Sequence, residues 1–203
     1  MENTDAVHIA ELLRQSGVLL APGLTDAEVD EVQERFGFRF PPDLRALLQY
    51  ALPIAPGFPN WRDESEESLR SRLDWPRDGT LFDIEHNAFW MDEWGPRPDN
   101  LATAFEVASQ EIAIAPVLIP VFSHRYIPEE PHLSGNPVFS VYQTDIIYYG
   151  ANLAEYFSNE FLPRENFSLS PNIREIRFWS RVIEMYLYTT GEAPTQSSWA
   201  DTT

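Results

Sequence analysis

Apolar and polar positions fall into helical spacing over most of this chain, and into short apolar runs between residues 117 and 149. From residue 4 to 16, Val7, Ala10 and Leu13 share one face of a predicted helix that Gly17 ends, with His8 one position off the stripe. Between Gly23 and Tyr50 the pattern predicts a helix pair. Thr25 stands three residues before Glu28, the spacing of a capping box, and Val29, Val32 and Phe36 then recur at helical intervals up to Gly37. Phe38 and Phe40 lead to Pro41-Pro42, where Pro42 suits the first position of a second helix. Leu44, Leu47 and Leu48 give that helix one apolar face, and Pro53 stops it.

The run LPIAPGFPNWR (52–62) has too many prolines for regular structure and is read as a loop over the core, with Trp61 as its packing anchor. DESEE (63–67) opens a helix carrying Leu69 and Leu73, expected to end before Pro76. Leu81 to Glu85 is read as a strand, which would put Asp83 and Glu85 on one face. Asn100 caps a helix bearing Leu101, Phe105, Ala108 and Ile112, ending before Pro116. Val117 to Phe122 is a short apolar run in which Pro120 points to an edge strand or a bulge. After a loop over SHRYIPEEPHLSGN, PVFSVY (137–142) and DIIYY (145–149) form a hairpin around Gln143-Thr144. Asn152 caps a helix with Leu153, Tyr156 and Phe157, and Ile173 to Tyr188 is the last long helix, with Ile176, Trp179, Ile183 and Tyr186 or Leu187 inward. Helices flanking a short, mostly antiparallel sheet make an α+β fold, with residues 1–190 as one domain and 191–203 as a disordered tail.

Composition narrows the function. With 43% hydrophobic and 13% aromatic residues in 203, one substantial core is expected. Fourteen basic residues, all Arg, stand against 32 acidic ones, a net charge of −18. Such a chain lacks the basic footprint of a nucleic-acid binder, while a basic protein partner, or solubility alone, accounts for the charge. Cys is absent, which excludes disulfides and thiolate chemistry. No stretch is long enough for a membrane span and the first residues lack the basic start of a signal peptide, so a cytoplasmic protein is expected.

The capped acidic helix, the Gly-Phe-x-Phe-Pro-Pro elbow and the Asp-Leu-Arg-x-Leu-Leu helix resemble the opening of the SUKH superfamily. Its members include fungal Smi/Knr-type cell-wall regulators and many bacterial immunity proteins. FPNWR (58–62), WPRDGTLFDIEHNAFWMDEWGPRP (75–98), and LIPVFSHRYIP with GNPVFSVYQTDIIYYG (118–150) resemble a bacterial subgroup, so that the resemblance covers about residues 20–162. It implies a small α+β domain whose exposed surfaces bind other proteins. Many members follow the second helix with Asn-Gly or a glycine pair, where this chain has Ala51-Leu52-Pro53.

Chemistry is sparse. His124 and His132 are eight apart across two prolines, which fixes no shared face, and no HExxH spacing, nucleophile elbow or phosphate-binding glycine loop occurs. Neither a metal nor a cofactor is expected. Asp83 and Glu85 could do acid–base work only if burial separated their proton affinities. Arg125 and Asp145 flank apolar runs and are expected to pair, pinning loop to hairpin. The alternative is that they form a polar floor under a small ligand walled by Trp90, Trp94 and Tyr126. The leading expectation is a non-enzymatic module that neutralises a toxin by occluding it. A small-molecule-binding or hydrolytic protein built on Trp90, Trp94, His124 and Asp145 is one alternative, and a regulatory scaffold of the cell-wall type is another. Partner or ligand contacts are sought at Glu28, Glu31 and Glu34 of the acidic helix, at Trp61 and Arg62, and at Trp90, Trp94, His124, Arg125, Tyr126 and Asp145.

Overall fold

Thr25 caps the organising helix as its spacing predicts. Its hydroxyl accepts from the Glu28 amide while the Glu28 carboxylate accepts from the Thr25 amide, and Gly37 closes the helix in the left-handed conformation. The structure is a computed structural model that describes residues 2–163, 165 and 167–190. Its described helices are α1 (Glu2–Gln15), α2 (Asp26–Phe36), α3 (Pro42–Tyr50), α4 (Glu66–His86), α5 (Leu101–Ala113), α6 (Leu153–Phe161) and α7 (Trp179–Thr190). Strands β1 (Leu20–Pro22) and β2 (Ala51–Pro53) pair with each other. A four-stranded antiparallel sheet runs in the order β3 (Leu118–Phe122), β4 (Arg125–Pro128), β5 (Val138–Tyr142) and β6 (Asp145–Gly150). The proposed tail from residue 191, and the side chains of Tyr186 and Leu187, lie outside what the structure describes.

Alternation along the strands divides the sheet between two cores. Ile119, Val121, Ile127 and Val138 face a cluster built with α1, α2, α3 and α6, in which Leu13, Leu47, Phe40 and Phe157 are fully buried. Leu118, Tyr126, Phe139, Val141 and Ile146 face Met91, Ile176, Trp179, Val182 and Ile183 on the other side. The sheet is therefore the middle layer of an α+β domain. Trp61 is buried among Phe36, Phe38 and Phe40, at 6.2, 5.6 and 5.3 Å between ring centres, and so anchors its loop to the core.

Several local expectations give way to tertiary contacts. In α1 the inward face is Ala6, Ile9, Ala10 and Leu13, and Val7 is exposed; in α5 it is Ala104, Ala108 and Ile112. Four of the 14 residues of the loop expected after residue 122 form β4, which pairs with β3 across the two-residue turn Ser123-His124. Pro120 does lie on an edge strand beside a register shift. The final helix starts at Trp179 because Phe178 has a left-handed φ of +69, which no continuous right-handed helix accommodates.

The largest difference is α4, which runs through Pro76 and absorbs the predicted strand at 81–85. Proline removes the amide that would bond the carbonyl four residues back, here Arg72. That carbonyl instead accepts the Tyr126 hydroxyl at 2.9 Å, and the Thr80 hydroxyl donates to the Pro76 carbonyl at 2.8 Å. The helix survives because the sheet supplies a substitute donor. Asp83 and Glu85 consequently point about 200° apart around α4, the first buried and the second exposed, and share no face.

Candidate functional site

The acidic residues of α2 do not all face outward as free charges. Glu28 is half-buried, and its carboxylate takes Arg62 as well as Thr25, while Arg62 also donates to the Pro22 and Gly23 carbonyls at 3.0 and 3.1 Å. These bonds, the guanidinium's first, hold the Glu28 carboxyl down at about 2. Glu28 and Arg62 thus tie the 58–64 loop to the start of α2 and are not available to a partner. Asp26 accepts from Gln49 and pairs with Arg45, both at 2.8 Å, and these bonds, Gln49's first, lower its carboxyl; Glu31 pairs with Arg35. Asp30, Glu34 and Glu67 are exposed and bond to nothing among the described residues.

The start of α4 lies alongside α2. Arg70 sits over the Phe36 ring at 5.2 Å, donates to the Arg35 carbonyl at 3.2 Å and pairs with Glu66 at 2.7 Å. Glu31, Arg35, Arg70 and Glu66 form an unbroken line of contacts, so that α2 and the head of α4 make one surface with carboxylates on both sides of it.

The expected Arg125–Asp145 pair does not form. Arg125 donates to Glu160 of α6 at 3.2 Å and to the Ser140 hydroxyl at 2.9 Å, and its guanidinium lies 4.0 Å from the centre of the Tyr149 ring. A carboxylate from α6 reached the cation first, a partner that no sequence spacing announced. Asp145 stands opposite Tyr142 at the β5–β6 turn, with a buried Oδ1 that has no partner among the described residues. Beside it, Asp83 accepts from the Thr144 amide at 2.8 Å and from Asn87 at 2.6 Å.

Burial, and then the Asp83 charge, push the Asp145 carboxyl up to about 6. A carboxyl raised in the folded state contributes stability that is full below its unfolded value near 4 and is lost as pH rises through about 6. Asp145→Asn is therefore expected to raise stability at pH 7 by about 1–2 kcal/mol, after discounting for partial exposure. Urea melts of both proteins at pH 4 and pH 7 check this: the gain should vanish at pH 4, and an equal effect at both would remove the carboxyl from the account.

His124 and Trp94, grouped in the sequence, are separate in the fold. Trp90 donates to the Gly95 carbonyl at 2.8 Å and meets Trp94 edge-on at 5.0 Å. Trp94 stacks on Phe178 and lines a hollow of about 180 Å³ with Met91, Ile114 and Arg181. His124 and Tyr126 instead line a cleft of about 400 Å³ with Ser71, Arg72, Trp75 and Tyr142. The cleft's aromatic walls are thus Trp75 and Tyr142. In the sequence Trp75 opens the stretch 75–98 and precedes a proline expected to end a helix, and neither context marks it as a cleft wall.

His124 and His132 stand at opposite ends of β4, the latter 3.2 Å from Arg39. Among the described residues no group of three or more His, Asp or Glu side chains could hold a metal, and no helix is long and apolar enough to cross a membrane. No protein-family model, curated protein or solved structure matches the chain.

Proposed function

We propose that this protein is a cytoplasmic, non-enzymatic protein-binding module of the SUKH type, which neutralises a basic toxin domain by covering its active surface. The acidic surface shared by α2 and the head of α4 supports this most, because Asp30, Glu34 and Glu67 stand exposed there without internal partners. Three other acids of the same region, Asp26, Glu28 and Glu31, are already matched to arginines of this chain. Exposed acids also stand elsewhere, at Asp92, Asp99 and Glu106, but Asp30, Glu34 and Glu67 share the surface of two adjoining helices. Complementary charge on a cationic partner would steer encounter with that surface and set its register. Of the two helices that carry this surface, α2 lies within the residues 23–50 that resemble the SUKH superfamily.

The test takes the protein recovered with this chain from its native cell and measures association rates across ionic strength. A steered complex should associate at least about tenfold faster at low salt than at 0.3 M. An Asp30→Asn/Glu34→Gln/Glu67→Gln variant should lose most of that advantage while keeping its melting temperature. Rates indifferent to both salt and substitution would place the interface on another surface.

A further inference from the structure

The cleft beside His124 is built from four segments, each held in place by its neighbour. Trp75 projects from α4, half exposed, with its indole N–H donated to the Val141 carbonyl at 3.2 Å. Tyr142, also half exposed, faces it edge-on at 6.5 Å between ring centres. The floor is Tyr126, fixed by its bond to the Arg72 carbonyl. Opposite stand Ser123 and His124, with the Ser123 hydroxyl 3.2 Å from His124 Nδ1.

Two close approaches hold these walls at a set spacing. Gly57, at φ +95, accepts the Ser123 amide at 2.8 Å, and a Cβ there would meet the Phe122 ring at 2.6 Å. Gly79 lets α4 press against the β5–β6 turn, where a Cβ would lie 2.7 Å from the Gln143 Cα. Both turns begin in the left-handed region, Ser123 at φ +49 and Gln143 at φ +56, without a glycine. Such strain persists only where the surroundings over-determine it.

The cleft carries little net charge. Arg72 is paired with Glu64 at 2.8 Å. Burial, and then the Arg125 charge, push the His124 imidazole down to about 4, so that it is neutral at pH 7. Its Nε2 bonds to nothing among the described residues. Two aromatic faces at the mouth, hydroxyls and a neutral imidazole on the rim, and a volume of about 400 Å³ fit small-molecule sites, which are mostly apolar with a few placed polar groups. The chain's charge of −18 disfavours an anion such as a phosphorylated ligand.

We infer that this cleft binds a flat, uncharged heteroaromatic ring of the nucleobase or nucleoside class. The ring stacks on Trp75, meets Tyr142 at its edge, and has its polar rim read by His124 and Ser123. This site is independent of the acidic surface of α2 and α4, and either can fail without the other.

Adenosine, adenosine monophosphate and ribose serve as probes in titration calorimetry on the full chain at pH 7, with the indole N–H resonance of Trp75 followed by NMR. Adenosine should bind and shift that resonance, the monophosphate should bind at least about tenfold more weakly, and ribose should not bind. Removing a stacking aromatic from a base site costs about tenfold or more, so Trp75→Ala should do so and Trp75→Phe should recover most of it. Trp75 also holds a backbone carbonyl, so Tyr142→Ala, which removes a hydroxyl with no partner among the described residues, gives a second reading with less risk to folding. No binding of adenosine at millimolar concentration would overturn the inference. So would binding left unchanged by both alanine variants, or a monophosphate that binds more tightly than the nucleoside.

Discussion

Leu47→Ala is expected to lower stability by about 2–5 kcal/mol, the range for truncating a buried leucine. Leu47 is 1% exposed on the apolar face of α3, in the same cluster as Leu13, Val29 and Phe157. It already borders a small void of about 10 Å³ shared with Leu44, Phe58, Trp61 and Phe157. The truncation would enlarge an existing gap walled by aromatic rings, which have little room to collapse into it, so a value in the upper half of the range is expected. Thr25→Ala removes only the cap of α2 and should cost about 1 kcal/mol. Urea melts of the two variants separate core from cap. Equal and mild losses would show that the α2–α3 pair does not sit at the centre of the domain's stability.

Arg125→Leu should cost about 2–4 kcal/mol, somewhat below the range for breaking a fully buried ion pair. The Arg125 and Glu160 side chains are only 11% and 18% exposed, so removing the cation leaves a desolvated carboxylate with no counter-charge. The fully buried Tyr156 hydroxyl, which has no partner among the described residues, is part of the same environment and gives that carboxylate no relief. Arg125→Leu/Glu160→Leu is the informative companion, because removing both charges abolishes the orphan. The double variant should be more stable than the single one. A double variant that loses as much as the two single changes added together would mean that the pair is not coupled.

What could be read from the sequence was whatever depended on neighbours in the chain. The Thr25 box, the Gly37 cap, the Asn100 and Asn152 caps and the Gln143-Thr144 turn are set by residues within four positions of one another, and all formed. Misreadings arose wherever a distant group changed the local balance. Pro76 reads as a stop in the sequence because the substitute donor, Tyr126, lies far along the chain on β4. The sequence pairs Arg125 with Asp145, while Glu160, which takes the cation in the fold, lies on a helix whose placement no spacing encodes.

For the candidate site, His124 and Tyr126 were noticed through their chemistry. Trp75 and Tyr142 went unnoticed because each sat in a pattern with a local explanation, before a proline and at the end of a strand. Glu28 and Arg62 show the opposite error. Both looked available for partners, yet the fold binds them to each other and to the turn at Pro22 and Gly23.

The Tyr126–Arg72 bond also bears on the order in which the chain assembles. Helices usually form early because their bonds are local. Here one acceptor in the middle of α4 waits for a donor 54 positions further along, which leaves the ribosome only after the whole helix has been made. Until the β3–β4 hairpin docks, the Arg72 carbonyl lacks its Tyr126 donor, and Gly79 and Asp83 lie on the part of α4 beyond that gap. The turn at Gln143-Thr144 that those residues receive is made later still. The hydrogen bonding of α4 is thus completed only together with the sheet.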